Sequence, residues 1–200
     1  MFCRNRTPCI FAIHSNFIEA IQSGSSLRFP NPLPRRIYEH ILCGYENWLR
    51  AKYSLPGFVV VEKGDHVVDC GSFVGGFTLS AAKIAGVVHV FEPEKQNFEI
   101  CSVNLAGFCN VILNNKGLYS ISKELDFFVS SSSVDHSILT PDKGEILEKR
   151  SIQVISLFDY FSSLEEDRLD FLKLEAEGVE IEIFEGLGGL KPRKLAIDIS

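Results

Sequence analysis

Two acidic residues flank a glycine-rich turn near the middle of the chain. Asp69 lies at the end of the apolar run VVDC, shortly before Gly71, which opens the pattern G-x-x-x-G-G. Glu92 closes a second apolar run about 20 residues further on. A carboxylate attracts an ammonium group, and an acid at the tip of a second strand accepts hydrogen bonds from ribose hydroxyls. The pattern therefore predicts a ligand that carries a ribose and a positive amino group.

The spacing of the glycines weakens the two common phosphate-binding alternatives. A dinucleotide site has G-x-G-x-x-G after its first strand, whereas Ser72 and Phe73 follow Gly71 here. A P-loop needs G-K-[S/T], and no such triplet follows Gly76. S-adenosylmethionine has the predicted ribose and amine and needs no phosphate site, so it is the predicted cofactor. A nicotinamide-dependent oxidoreductase on a similar sheet remains an alternative.

A second group of ionisable residues lies at the end of a later apolar run, LDFLKLEAEG. Lys173, Glu175 and Glu177 alternate there, and alternate residues of a strand share a face. We predict that they are catalytic, with Glu175 as a base or substrate-orienting acid and Glu177 as its partner. Lys173 would hold Glu175 ionised or orient a substrate hydroxyl; a surface ion-pair cluster is the alternative. His136 is the other candidate base and Ser137 a candidate substrate contact, although a serine-rich loop can also be simply solvated.

Strands that alternate with amphipathic helices would position these residues. Five apolar segments read as strands: HVVDCG, VVHVFEP, NVILNN, LDFLKLEA and KLAIDIS. Apolar residues at helical spacing predict helices between them and a further helix over residues 37–53. ELDFFVS predicts a hairpin or edge element, and SIQVISL predicts an approach to the sheet. This order is typical of an α/β fold with a parallel sheet covered on both faces.

The two motifs together resemble the FkbM family of class I methyltransferases. DCGSFVGGFTLSAAK with VFEPEKQNFEI is similar to the class I signature, and LDFLKLEAEGVEIEIFEGL is similar to the block usually written K-I-D-V-E-G-x-E. The resemblance runs from about Gly64 to the C-terminus. It implies a Rossmann-like three-layer sandwich with a mostly parallel sheet. It also implies methyl transfer from S-adenosylmethionine, usually to a hydroxyl of a sugar or natural product.

The resemblance also implies roles for individual residues. The residues implied to bind the cofactor are Asp69, Gly71, Ser72 and Gly75 at the methionine portion and Glu92 at the ribose. Phe73 stands where the family usually has asparagine, and Glu175 replaces the usual aspartate. Because of these departures, a catalytically impaired relative remains an alternative.

The ends of the chain carry further expectations. Residues 1–36, with the proline-rich LRFPNPLPRR, are predicted to be a loose extension and linker, and residues 37–200 the methyltransferase domain. The resemblance implies a C-terminal antiparallel strand pair after KLAIDIS, which the sequence lacks. The last strand would then be an exposed edge, which is an aggregation liability. A fragment, a homodimer through that edge, or cover from the N-terminal helix would each explain it.

Composition excludes several classes of partner. The net charge is −6 with acids and bases mixed, so no basic surface for nucleic acid is expected. Apolar runs fall short of the roughly 18 residues that span a bilayer. No histidine and acid ligand set converges in sequence, and the six cysteines form no disulfide framework. We therefore predict no metal, no membrane contact, a cytoplasmic location and a small hydroxylated acceptor as the partner.

Overall fold

The structure, a computed structural model, describes residues 6–130, 146–176 and 178–198. The strands of the described part are β1 (Ile10–Ile13), β2 (Phe17–Gln22), β3 (Ser25–Pro30), β4 (His66–Cys70), β5 (Val87–Phe91), β6 (Val111–Asn114), β7 (Gly117–Leu118), β8 (Lys123–Ser130), β9 (Ile146–Ile155), β10 (Phe171–Leu174) and β11 (Lys194–Ile197). Its helices are α1 (Arg35–Leu42), α2 (Tyr45–Lys52), α3 (Gly76–Ala81), α4 (Lys95–Leu105), α5 (Leu157–Ser163) and α6 (Glu180–Glu185).

The central sheet of the described part has five parallel strands in the order β11-β10-β4-β5-β6. On one face Val67 and Val88 pack with side chains of α2, α3 and α4. On the other face Val68 and Leu172 pack with side chains of α5 and α6. Each fully buried large apolar side chain contributes about 1.5–3 kcal/mol to folding. This arrangement confirms the predicted α/β sandwich with a mostly parallel sheet.

The strand order determines where a ligand site can form. The chain runs from β4 to β5 and β6 on one side, and then returns to β10 and β11 on the other side of β4. In open α/β sheets, ligands bind where the order reverses, outside the carboxyl ends of the strands. The carboxyl end of β4, between β5 and β10, is therefore the expected place for a site.

The N-terminal segment is a packed antiparallel sheet, so the prediction of a loose segment was wrong. The strands β1, β2 and β3 pair in that order, and Ser23 and Gly24 form the second turn with φ of 52° and 80°. Such left-handed pairs match the twist of a hairpin. The side chain of Asn104 in α4 accepts a hydrogen bond from the amide of Arg28 (2.9 Å) and donates one to its carbonyl (3.0 Å). These two bonds fix β3 on α4.

The helix predicted for residues 37–53 is instead two helices. Gly44, with φ of 78°, separates α1 from α2. Glycine ends a helix readily in this conformation because it has no Cβ to clash with the preceding carbonyl. Ile41 and Leu49 are both buried in the same core. The apolar pattern thus predicted the packing but not the break.

A smaller sheet joins β7, β9 and β8 in that order, with β8 antiparallel to β9 along most of its length. This confirms the hairpin or edge element predicted for ELDFFVS. Helix α5 was not predicted, since SIQVISL was interpreted as β-like through Leu157. Ser156 begins that helix as its cap, and its side chain accepts a hydrogen bond from the amide of Asp159 (3.0 Å).

The strand β11 occupies one edge of the central sheet in the described part. A homodimer through this edge stays a prediction. None of the described helices combines the length and hydropathy that crossing a bilayer requires.

Candidate active site

Asp69 and Lys173 form a buried ion pair between neighbouring strands. They are direct partners in the parallel pairing of β4 with β10, and their side chains are 0% and 2% exposed. Lys173 Nζ lies 3.1 Å from Asp69 Oδ1, and Thr78 donates a hydrogen bond of 2.6 Å to Asp69 Oδ2. Because both charges are removed from water, each depends on the other for compensation.

Lys173 also shapes the glycine turn. Its Nζ donates hydrogen bonds to the carbonyls of Cys70 (2.9 Å) and Gly71 (2.7 Å). Burial opposes the charge of Lys173, but the carboxylates of Asp69 and Glu175 outweigh burial and raise its pKa. The ammonium is thus occupied inside the protein and hidden from solvent. We therefore revise the role of Lys173 from contact with a substrate hydroxyl to positioning of the turn.

The turn after β4 requires glycine at two positions. Gly71 has φ of 68°, and a Cβ there would overlap the backbone oxygen of Glu175. Gly75 has φ of 84°, and a Cβ there would lie 2.9 Å from Leu105 Cδ1. Glycine avoids both the steric overlap and the strain of a left-handed backbone. The two glycines therefore let Glu175 and Leu105 approach the turn at the tip of β4 closely.

Phe73 holds an unusual backbone conformation on the same turn, with φ of 53°. The left-handed region costs a residue with a side chain about 1–2 kcal/mol. Asparagine, which the family resemblance implies at this position, tolerates that region better. The amide of Phe73 donates a hydrogen bond of 2.8 Å to Glu92 Oε2, which helps to hold the turn in this shape.

Glu92 stands at the tip of β5 beside the turn and is 5% exposed. Its Oε1 accepts a hydrogen bond from the amide of Glu94 (2.9 Å), in addition to the bond from Phe73. Burial raises the pKa of Glu92 to about 8 despite these two bonds. Each carboxylate oxygen has about two lone-pair positions, so both oxygens can accept another hydrogen bond. Ser72, also buried on this turn, has its Oγ 3.7 Å from Cys101 Sγ.

Glu175 follows β10 and is the more accessible acid of the site, with a side chain 31% exposed. Lys52 of α2 approaches it at 2.8 Å and Lys173 at 3.4 Å. Burial opposes ionisation, but these two ammonium groups outweigh it and lower the pKa of Glu175 to about 2. Lys52 also contacts Asp198, just beyond β11, at 2.6 Å. Helix α2 is thereby tied to the ends of two strands.

Most of the residues predicted from sequence lie together. Those at the carboxyl ends of β4, β5 and β10 or on the adjoining turn are Asp69, Gly71, Ser72, Gly75, Glu92, Lys173 and Glu175. The predictions for Glu177, His136 and Ser137 fall outside the described residues. Sequence reasoning missed Lys52 and Thr78, which carry no local signal. It also missed Asp198, which the strand-tip argument could have found at the end of KLAIDIS.

The family assignment follows from the motifs that build this site. The sequence model of the methyltransferase FkbM domain matches residues 69–199, a range that starts at Asp69 and contains both motifs. The chain belongs to the FkbM methyltransferase family. The residues at the tips of β4, β5 and β10 are thus part of a methyltransferase domain, as the motifs predicted.

Solved structures resemble this FkbM-family chain at low sequence identity. The methyltransferase FkbM from Methylobacillus flagellatus aligns over 80% of this chain and 41% of its own, with 17% identity and a TM-score of 0.47. The precorrin 8w decarboxylase from Methanobacterium thermoautotrophicum aligns over 86% and 67%, with 18% identity and a TM-score of 0.41. The chain therefore spans less than half the length of the first of these proteins. A search of curated protein sequences found no match.

Proposed function

We propose that the chain is an S-adenosylmethionine-dependent methyltransferase that methylates a hydroxyl group of a sugar or natural product. The match to the FkbM domain supports methyl transfer. The observation that carries the cofactor is the tight glycine turn at the tip of β4 with the carboxylate of Glu92 hydrogen-bonded to it. That combination offers backbone to the methionine portion and an acceptor pair to the ribose.

The donors and acceptors around the turn fit this cofactor. Glu92 retains lone pairs for the two ribose hydroxyls. The buried hydroxyl of Tyr53 lies beside Glu175 and helps to lower the pKa of that carboxyl. Lys173 already compensates the charge of the Asp69 carboxylate. Contact between Asp69 and the ammonium group of the ligand therefore stays a prediction.

The chain's own task in the reaction is to place the acceptor oxygen, since the cofactor supplies an electrophilic methyl group when bound. Orientation of this kind can supply much of the rate acceleration. A carboxylate with a pKa of about 2 is a weak base. We therefore assign Glu175 to orient the acceptor by accepting the hydrogen bond of its hydroxyl. His136 remains the candidate base, with Ser137 as a substrate contact and Glu177 as the partner of Glu175.

Calorimetric titration with S-adenosylhomocysteine and, separately, with NAD tests the cofactor. We expect heat with the first ligand alone, and Glu92→Gln should weaken its binding by about 10- to 100-fold, because a hydrogen bond to a charged group contributes about 1.5–3 kcal/mol. The exposed Glu99→Gln is the matched control. Binding of NAD instead, or of neither ligand, would contradict the proposal. Cofactor binding without methyl transfer to any hydroxylated acceptor would identify an impaired relative, which the strained Phe73 favours.

The Glu175→Gln substitution should lower methyl-transfer turnover by about 10- to 100-fold while cofactor affinity changes little. The amide cannot accept the acceptor's hydrogen bond as strongly, and misplacement of a reacting group by about 1 Å can cost about 100-fold. Glu46→Gln is the matched control, because Glu46 is also paired with a lysine, Lys83 at 2.6 Å. Turnover equal to that of the unsubstituted protein would remove Glu175 from the mechanism.

The affinity for S-adenosylhomocysteine should rise with pH and level off above about 8, the raised pKa of Glu92. Below that pH the carboxyl is protonated in the free protein, and losing the proton to accept two ribose hydrogen bonds costs about 1.4 kcal/mol per pH unit. Affinity should therefore fall by up to about tenfold per unit of acidification. Adenosine, which has the ribose but no amine, should show the same profile. A Glu92→Gln variant that keeps this pH dependence would exclude Glu92 as its source.

A further inference from the structure

Three potential metal ligands meet on the side of the central sheet that faces α5. His66 begins β4, His89 lies within β5, and Glu166 follows α5. One ligand atom from each lies within 4.8 Å of the other two. The sequence predicted no convergent set of histidine and acid ligands, and the structure corrects this. We propose that His66 Nδ1, His89 Nε2 and a carboxylate oxygen of Glu166 bind one divalent transition-metal ion, with Zn²⁺ the best match.

The two imidazoles each present an unsatisfied nitrogen to this cluster. His66 Nδ1 and His89 Nε2 are buried and have no hydrogen-bond partner among the described residues. His89 as a whole is 0% exposed, so its Nε2 has no access to bulk water. An unpaired buried polar atom costs about 1–3 kcal/mol. A metal ion bound to both nitrogens would remove this cost at once.

The distance between His66 and Glu166 and the residue types suit zinc. His66 Nδ1 lies 3.5 Å from Glu166 Oε2. Ligands at about 2.0–2.2 Å from a tetrahedral zinc ion are separated by nearly that distance. Two imidazoles and one carboxylate form a common zinc set, in which water takes the fourth position. The Glu166 side chain is 39% exposed, which provides a route from solvent.

A second layer of contacts orients His89 for this role. Its Nδ1 lies 3.0 Å from the hydroxyl of Tyr160, which also accepts a hydrogen bond from the Asn114 side chain at 3.3 Å. If Nδ1 donates to Tyr160, the lone pair of the ring is on Nε2, where the other two ligands meet. Metal-binding histidines usually donate their second N–H in this way, and the partner determines the tautomer and ring orientation.

The proposed metal site is separate from the cofactor site. His66 and Val68 face α5, whereas Asp69 faces the opposite layer, because side chains alternate along β4. The ion would connect β4 and β5 to the segment after α5. We therefore assign it to stabilise the fold, and its test does not depend on methyl transfer.

The test is a titration of the full chain with Zn²⁺ after treatment with a chelator. We expect one ion per chain by calorimetry and a rise in the thermal unfolding temperature. His66→Asn and Glu166→Gln should each weaken binding by at least about 100-fold, since loss of an outer partner alone costs about 10- to 100-fold. Tyr160→Phe removes the outer partner of His89, so it should weaken Zn²⁺ binding by about 10- to 100-fold. The neighbouring Glu165→Gln and the remote His14→Asn are matched controls and should bind like the unsubstituted chain.

Several results would overturn the proposal. One is the absence of stoichiometric Zn²⁺ binding by the unsubstituted chain. Another is an affinity for Zn²⁺ that is unchanged in both His66→Asn and Glu166→Gln. Both variants change partly exposed side chains, and circular dichroism checks that they fold. Co²⁺ in place of Zn²⁺ should give the spectrum of nitrogen and oxygen ligands. Thiolate-to-cobalt charge transfer would instead assign the ion to a cysteine site and would likewise overturn the proposal.

Discussion

Replacement of Gly71 by alanine is expected to destabilise the fold by about 2–5 kcal/mol and to abolish cofactor binding. The new Cβ would overlap the backbone oxygen of Glu175, and backbone cannot move aside as a side-chain end can. The left-handed φ of 68° adds strain of about 1–2 kcal/mol. Relief would require β10 to separate from β4 at the point where the two acids and Lys173 meet. Chemical denaturation measures the loss of stability.

The Gly57→Ala variant separates the effect of steric overlap from the effect of backbone strain. Gly57 has φ of 82°, close to that of Gly71, but a Cβ there would meet nothing within 4 Å. This control should therefore lose only the strain component of about 1–2 kcal/mol. Equal losses in the two variants would show that close approach of β4 to Glu175 does not determine the need for glycine at position 71.

Lys173→Met is expected to destabilise the protein by about 3–5 kcal/mol, because it leaves the Asp69 carboxylate buried without a counter-charge. It also removes the Lys173 hydrogen bonds to the carbonyls of Cys70 and Gly71, although the amide of Glu175 still donates to Cys70. The double variant Asp69→Asn/Lys173→Met should be more stable than Lys173→Met alone, because the uncompensated charge is gone. The free energies of unfolding of the single and double variants, from urea titrations, complete the cycle.

Lys83→Met is the matched control for this cycle, since Lys83 also pairs with a glutamate, but with 55% of its side chain exposed. An exposed pair contributes about 0–1 kcal/mol. If the effects of the Asp69 and Lys173 substitutions were simply additive, the two charges would not depend on one another, and the positioning role of Lys173 would lose its basis.

The parts of the fold that the sequence predicted are those with strong local signals. The apolar runs that became β4, β5, β6, β10 and β11 are short and bounded by polar residues, glycine or proline, and helical spacing separates them. The N-terminal sheet lacks such a signal, because no helical segments separate its strands and prolines lie at the end of β3. Its stability comes instead from partners distant in sequence, such as Asn104 against Arg28. The break at Gly44 likewise depends on a single backbone angle.

The candidate site likewise contains residues that the sequence predicts and contacts that it does not. Acids at strand tips can be predicted, because parallel strands end at one edge of the sheet. The pairing of Asp69 with Lys173 depends on the register between β4 and β10, which the sequence does not specify. Lys52 reaches Glu175 only because α2 packs over α3. The meeting of His66, His89 and Glu166 requires the position of the segment after α5, which included a helix that was not predicted.

Alternate side chains of strand β4 face the two opposite layers of the fold and take part in different sites. The strand is therefore expected to tolerate changes in length poorly. Insertion or deletion of one residue between His66 and Asp69 would bring both side chains to the same layer, since alternate side chains of a strand face opposite layers. A homologue that keeps every one of these residues but gains one amino acid between His66 and Asp69 would lose one of the two groups of contacts. The protein should therefore tolerate length changes in the surface loop at Gly57 far better than in the five residues of β4. At Gly57 nothing lies within 4 Å of a Cβ.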